Sequence, residues 1–126
     1  MVRPALVAAG VTAVTAALHV RDPHVPGSWG VCPTAALGFW CPGCGGLRAV
    51  HDLTDLRFLD AASSNLALVA AIPVLAYMFG RWTSGRWSGR PWDPSARTQN
   101  RTVAGTLVVL GVFAVLRNLP ASWLAP

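Results

Sequence analysis

Residues 61–79 read AASSNLALVAAIPVLAYMF, with no charged side chain among them. How this stretch is read decides the fold. A helix needs about 17–25 residues to cross a hydrocarbon core of about 30 Å, and this run meets that at the short end. Apolar and polar residues do not alternate along it, which argues against a half-buried strand. Pro73 would break a helix in water, but it is tolerated in a membrane helix, where neighbouring groups satisfy the freed carbonyl. Two further runs have the same character, ALVAAGVTAVTAALHV (5–20) and TVAGTLVVLGVFAVLRNL (102–119). The expected fold is therefore an all-α integral membrane protein of one membrane domain. Its three transmembrane helices are placed at about 4–20, 61–79 and 102–119. A Cys-rich loop with a short interfacial helix fills 21–60, and a basic Trp/Arg loop fills 80–101.

The rest of the composition agrees. Charged residues are 12% of the 126, against about 25% in an ordinary soluble domain. There is no Lys and no Glu; ten Arg oppose five Asp, a formal net charge of +5. An Arg-rich chain can bind nucleic acid, but so few charges among such long apolar runs exclude that class. The expected partners are membrane lipid and another membrane protein or a second copy of the chain. Arg117 lies near a helix end, where it can snorkel to the interface. Arg3 followed by an apolar run also fits a cleaved signal peptide, though a convincing small-x-small cleavage site is not obvious after Ala17, where the chain continues LHVRDPH (18–24).

Arginine placement sets the expected orientation. Arg3 and the five arginines of GRWTSGRWSGRPWDPSARTQNR (80–101) outnumber Arg21, Arg48 and Arg57 of the first loop. The N-terminus and 80–101 are therefore expected in the cytoplasm, and the cysteine loop outside. Trp82, Trp87 and Trp92 among the arginines suit a headgroup boundary and anionic lipid.

The chemistry is concentrated in VCPTAALGFWCPGCGGLRA (31–49), which holds all three cysteines. From Cys44 onward, CGGLRAVHDLTDLRFLD continues as a short helix. At 100° per residue Cys44, Arg48, His51, Asp52 and Asp55 share one stripe, with Arg48–Asp52 and His51–Asp55 as expected ion pairs.

Four readings of the cysteines stay open. Cys41-Pro-x-Cys44 is shaped like a zinc knuckle, with Cys32 as third ligand and His51 or His24 as fourth. An outward loop favours a disulfide, Cys41–Cys44 or Cys32 with either, and the odd count leaves one thiol over. A Cys-x-x-Cys at a helix start also suits redox work, with Cys44 as low-pKa nucleophile, Cys41 resolving, and Arg48 and His51 assisting. The last is packing of small residues in a tight turn.

Cys32-Pro33, Cys41 to Gly45, Arg48-Ala49 and Asn65 also form a recognisable pattern. The segment from Cys32 to about Asn65 resembles a family of small bacterial membrane proteins, the domain of unknown function 2752 family. That family shows Cys-Pro, an apolar spacer, Cys-Pro-Gly-Cys-Gly, Thr-Arg-Ala, a Gly-Asp step, and Asn-Pro opening a membrane helix. This chain departs from it with Leu47 for Thr, Thr54-Asp55 for Gly-Asp, and Leu66 after Asn65. The resemblance implies a helical protein of the bacterial cytoplasmic membrane, with the cysteine segment between spans. It implies no reaction; a common site would include Cys32, Cys41, Cys44 and Arg48 here.

Two functions follow as expectations. The first is a non-catalytic subunit or assembly factor of a larger membrane complex, since no complete catalytic constellation is present and an enzyme is the lesser expectation. The second is a thiol–disulfide or metal-handling protein, with zinc as the candidate ion, using Cys32, Cys41, Cys44 and His51 at the extracytoplasmic face.

Overall fold

The fold was described from a computed structural model covering residues 3–30, 32–120 and 122–124. Five helices follow one another: α1 (Pro4–Val20), α2 (Pro33–Ala36), α3 (Gly46–Thr54), α4 (Phe58–Trp87) and α5 (Ala96–Arg117). Among the described residues there is no strand. α4 and α5, of 30 and 22 residues, are long and apolar enough to cross a membrane. α1 is not. Its 17 residues rise about 26 Å at 1.5 Å each, short of a core of about 30 Å, so the expectation of three spans is met by two.

The boundaries differ from expectation at the basic loop too. Helix α4 runs on to Trp87 and α5 starts at Ala96, so only residues 88–95 link them. The linker folds back onto α4 at Gly85, where an added Cβ would lie 2.7 Å from the Arg90 carbonyl oxygen and 3.0 Å from the Trp92 nitrogen. Ser95 caps α5, its hydroxyl accepting from the Thr98 amide at 3.3 Å.

Apolar side chains along the long helices face outward. Val74, Leu75 and Tyr77 on α4, and Leu107, Val108 and Val109 on α5, are all more than half exposed. That arrangement would be unstable in water and is ordinary where lipid is the solvent. The buried core sits at one end of the molecule, where α3 packs on both α1 and α4. Ala49 of α3 and Ala61 of α4 are fully buried, and small side chains let helices approach closely.

Much of this core is polar: His51, Asp52, Ser64, Asn65 and Arg117 are all buried. Asp52, fully buried, accepts from His24 Nε2 at 2.9 Å, from Ser64 Oγ at 3.1 Å and from Arg57. Each buried polar group of this kind is costly unless partnered, so the three donors let the carboxylate stay inside.

Helix α3 ends in a Schellman motif. The Arg57 amide donates to the Asp52 carbonyl at 2.9 Å and the Leu56 amide to Leu53 at 3.1 Å. The left-handed position that the motif requires is taken by Leu56, φ 59°, where glycine is usual. Helix α4 is two helices joined at Asn65 (φ −159°, ψ 91°). Asn65 Oδ1 accepts from the Leu68 amide at 3.0 Å, so Asn65 is the N-cap of the longer, membrane-length half.

Candidate metal centre

Cys32 precedes Pro33, whose fixed φ suits the first position of α2. Cys41 and Cys44 flank a tight turn in which the Cys44 amide donates to the Cys41 carbonyl at 3.1 Å. Gly45 then adopts φ 77°, a left-handed conformation that starts α3. These local choices bring Cys32, Cys41 and Cys44 together. Cys44 Sγ lies 3.3 Å from both Cys32 Sγ and Cys41 Sγ, and all three sulfurs fall within 4.8 Å of one another. The three thiols are free.

A point equidistant from the three sulfurs lies no more than about 2.4 Å from each, close to a zinc–thiolate bond of about 2.3 Å. The cluster is thus already the size of one ion's coordination shell. An iron–sulfur cubane, which spreads its cysteines farther apart, is too large for it.

The turn is held from two distant parts of the chain. Asn65 Nδ2 donates to the carbonyls of Pro42 and Cys44 at 2.8 and 3.1 Å. Arg117 Nη1 donates to those of Cys41 and Cys44 at 3.0 and 3.1 Å. Beside it, Asn118 exchanges bonds with the Trp40 backbone, receiving from its amide at 2.9 Å and donating to its carbonyl at 2.8 Å. Arg117 does not snorkel to an interface as expected; it is 1% exposed and stacks over Phe113 at 4.9 Å. Its Nε and Nη2 have no hydrogen-bond partner among the described residues. A cation so placed asks for negative charge nearby, and the thiol cluster is the group positioned to provide it.

The thiols are not equivalent. The Thr34 hydroxyl, 3.1 Å from Cys32 Sγ, is the main influence holding Cys32 down to about 6; the Ala35 amide and the Cys44 thiol add to it. Cys41 is lowered as well, chiefly by the Cys44 thiol. Burial pushes Cys44 up, and its position as donor to both neighbours pushes it further. The expected low-pKa nucleophile was Cys44. In the structure Cys32 and Cys41 are the lowered thiols, and Cys44, the buried member, is raised.

The stripe Cys44, Arg48, His51, Asp52, Asp55 does not form one site. His51 Nδ1 donates to the Leu18 carbonyl at 2.8 Å, and its Nε2 lies 3.6 Å from both Asp22 and Asp55. The His51–Asp55 pair is therefore present, while Asp52 pairs with His24 and Arg57 rather than Arg48. Neither His51 nor His24 joins the sulfurs. Arg48 lines a cavity beside Cys32 and Cys44.

The family comparison rests on this same segment. Residues 32–79 match the family described as "Protein of unknown function (DUF2752)". The resemblance drawn from the cysteines is the one found. No curated protein and no solved structure matches the chain. The family's Asn-Pro step has a physical meaning here: Asn65 caps the long helix and ties its start to the cysteine turn. Leu66 serves where the family has Pro, since the amide at that position has no helical partner in any case. Thr34 and Arg117 were not legible as site residues from spacing alone. Arg117 did carry a signal, being an ionisable group in an apolar run.

Proposed function

We propose that this chain is a membrane protein that binds a divalent thiophilic ion, zinc being the candidate, through Cys32, Cys41 and Cys44. The observation that carries the reading is the three-sulfur group, whose dimensions suit a single ion. The buried charge of Arg117 supports it: three thiolates around a divalent ion carry a net charge of −1, which the guanidinium balances. When bound, the ion would lock the loop between α1 and α4 to the end of α5, so the centre is structural as well as a point of metal handling.

In this reading α1 also crosses the membrane, its short length made up by Arg3 and Arg21 reaching the interfaces. Six arginines (Arg3, Arg81, Arg86, Arg90, Arg97, Arg101) then lie in the cytoplasm, and the metal centre faces outward across a bacterial inner membrane. A role as accessory subunit of a larger complex rests on the exposed apolar faces of α4 and α5, which lipid covers equally well.

A redox role has one observation in its favour, since Cys44 lies equally close to two thiols. Native mass spectrometry of protein released in mild detergent, without reductant or chelator, separates the two. A mass heavier by one metal ion, lost on acidification and lost in Cys32→Ser, Cys41→Ser and Cys44→Ser, supports the ion. A mass lighter by two hydrogens that takes up no zinc after reduction overturns it in favour of thiol–disulfide exchange.

A further inference from the structure

Three thiolates leave a tetrahedral ion one position short, and open positions are where ligands bind. The histidines lie outside the three-sulfur group: His51 Nδ1 donates to the Leu18 carbonyl, and His24, on the wall of the neighbouring cavity, donates its Nε2 to Asp52. On one side of the sulfurs the turn is closed by Asn65 and Arg117. On another lies a cavity of about 630 Å³, walled by Trp29, Trp40, Cys32, Cys44, Gly45 and Arg48. That volume is in the range of small-molecule sites, roughly 300–1,000 Å³.

Charge decides what the cavity takes. Once Arg117 has balanced the ion and its thiolates, Arg48 remains on the cavity wall with no ion pair or hydrogen bond among the described residues. The acidic groups nearby are engaged elsewhere: Asp22 faces His51, Asp52 holds His24 and Arg57, Asp55 faces His19 and His51, and Asp60 faces Arg57. The first turn of α3 lines the same wall, and a helix N-terminus favours an anion.

We propose that the cavity binds a small thiol carrying a carboxylate, its sulfur taking the fourth position of the ion and its carboxylate pairing with Arg48. The tryptophans cover the carbon body between these two ends. This inference rests on the metal reading above, and its test separates the two.

The full chain in detergent is loaded with cobalt(II) and titrated with mercaptoacetate, 2-mercaptoethanol and acetate, following the cobalt absorption bands. Mercaptoacetate is expected to bind about fivefold more tightly than mercaptoethanol, as one added ion pair of about 1 kcal/mol supplies, and acetate to bind weakly. Arg48→Gln should bring the two thiols to equal affinity without changing the cobalt spectrum before they are added; Arg48→Lys should restore part of the preference. Equal affinities in the unaltered protein, or a preference that survives Arg48→Gln, overturn the ligand assignment while leaving the ion in place. Failure of the chain to take up cobalt or zinc overturns both.

Discussion

Replacing Asn65 with alanine should release the cysteine turn. Three bonds are lost: the cap on Leu68 and the two ties to Pro42 and Cys44. An N-cap is worth about 1 kcal/mol and each neutral hydrogen bond about 1 kcal/mol. The Cys44 carbonyl keeps Arg117 as donor, but the Pro42 carbonyl has no other donor among the described residues. The cap is lost whether the turn is open or closed, so the two ties, about 2 kcal/mol together, set the change, on the order of thirtyfold in the opening equilibrium of the turn. Cys44 is 6% exposed, so alkylation by N-ethylmaleimide reports that opening. In metal-free protein at fixed pH, Asn65→Ala should speed Cys44 labelling by about thirtyfold. Asn65→Asp keeps the capping oxygen but loses both donors, and should speed labelling as much. Labelling of Asn65→Ala within about threefold of the unaltered protein would refute the idea that these bonds hold the turn.

Leu56→Gly should stabilise the α3–α4 corner by about 1 kcal/mol, because only glycine takes φ 59° without steric cost; unfolding by denaturing detergent measures it. Gly85→Ala should do the reverse at the opposite end, forcing the 90–92 backbone off α4 and increasing proteolysis between Ser88 and Ser95. In metal-free protein, Cys32 should be the first thiol alkylated by iodoacetamide as pH rises, its rate levelling off above about 6 because the thiolate is the reacting form. Cys44, raised by burial, should react last, and a reversed order, read by peptide mass spectrometry, would contradict the assignment of Cys44 as the shared donor.

Hydropathy alone made the long helices legible, because in lipid an apolar run has to be helical whatever its neighbours are. It misjudged their ends. Arg81, Arg86, Arg97 and Arg101 read as loop by charge, yet helices continue through them, since arginine is a good helix former. The cysteines were legible as a group because Cys41 and Cys44 are fixed by one turn and Cys32 lies only nine residues before Cys41. The histidines lie apart from the sulfurs for a different reason. Helical spacing places His51 on the stripe of Cys44, but α1 docks against α3 and offers it the Leu18 carbonyl, a tertiary fact that no spacing contains. Arg117 was hardest to place, being 73 residues from Cys44, one of its two bonding partners.

That separation has a consequence for how the protein is made. Synthesis delivers Cys32, Cys41 and Cys44 long before Arg117, and α4 must be complete before the arginine exists. Through that interval Asn65 is the one long-range side-chain tie to the turn among the described residues, and the thiols lack their matching charge. A nascent chain interrupted between Cys44 and residue 117 would hold three sulfurs in a turn that lacks its second tie, more open to wrong disulfides or to capture by a chaperone. The last turn of α5 is what closes the centre, so occupation by metal would report that the chain has been threaded as far as Arg117.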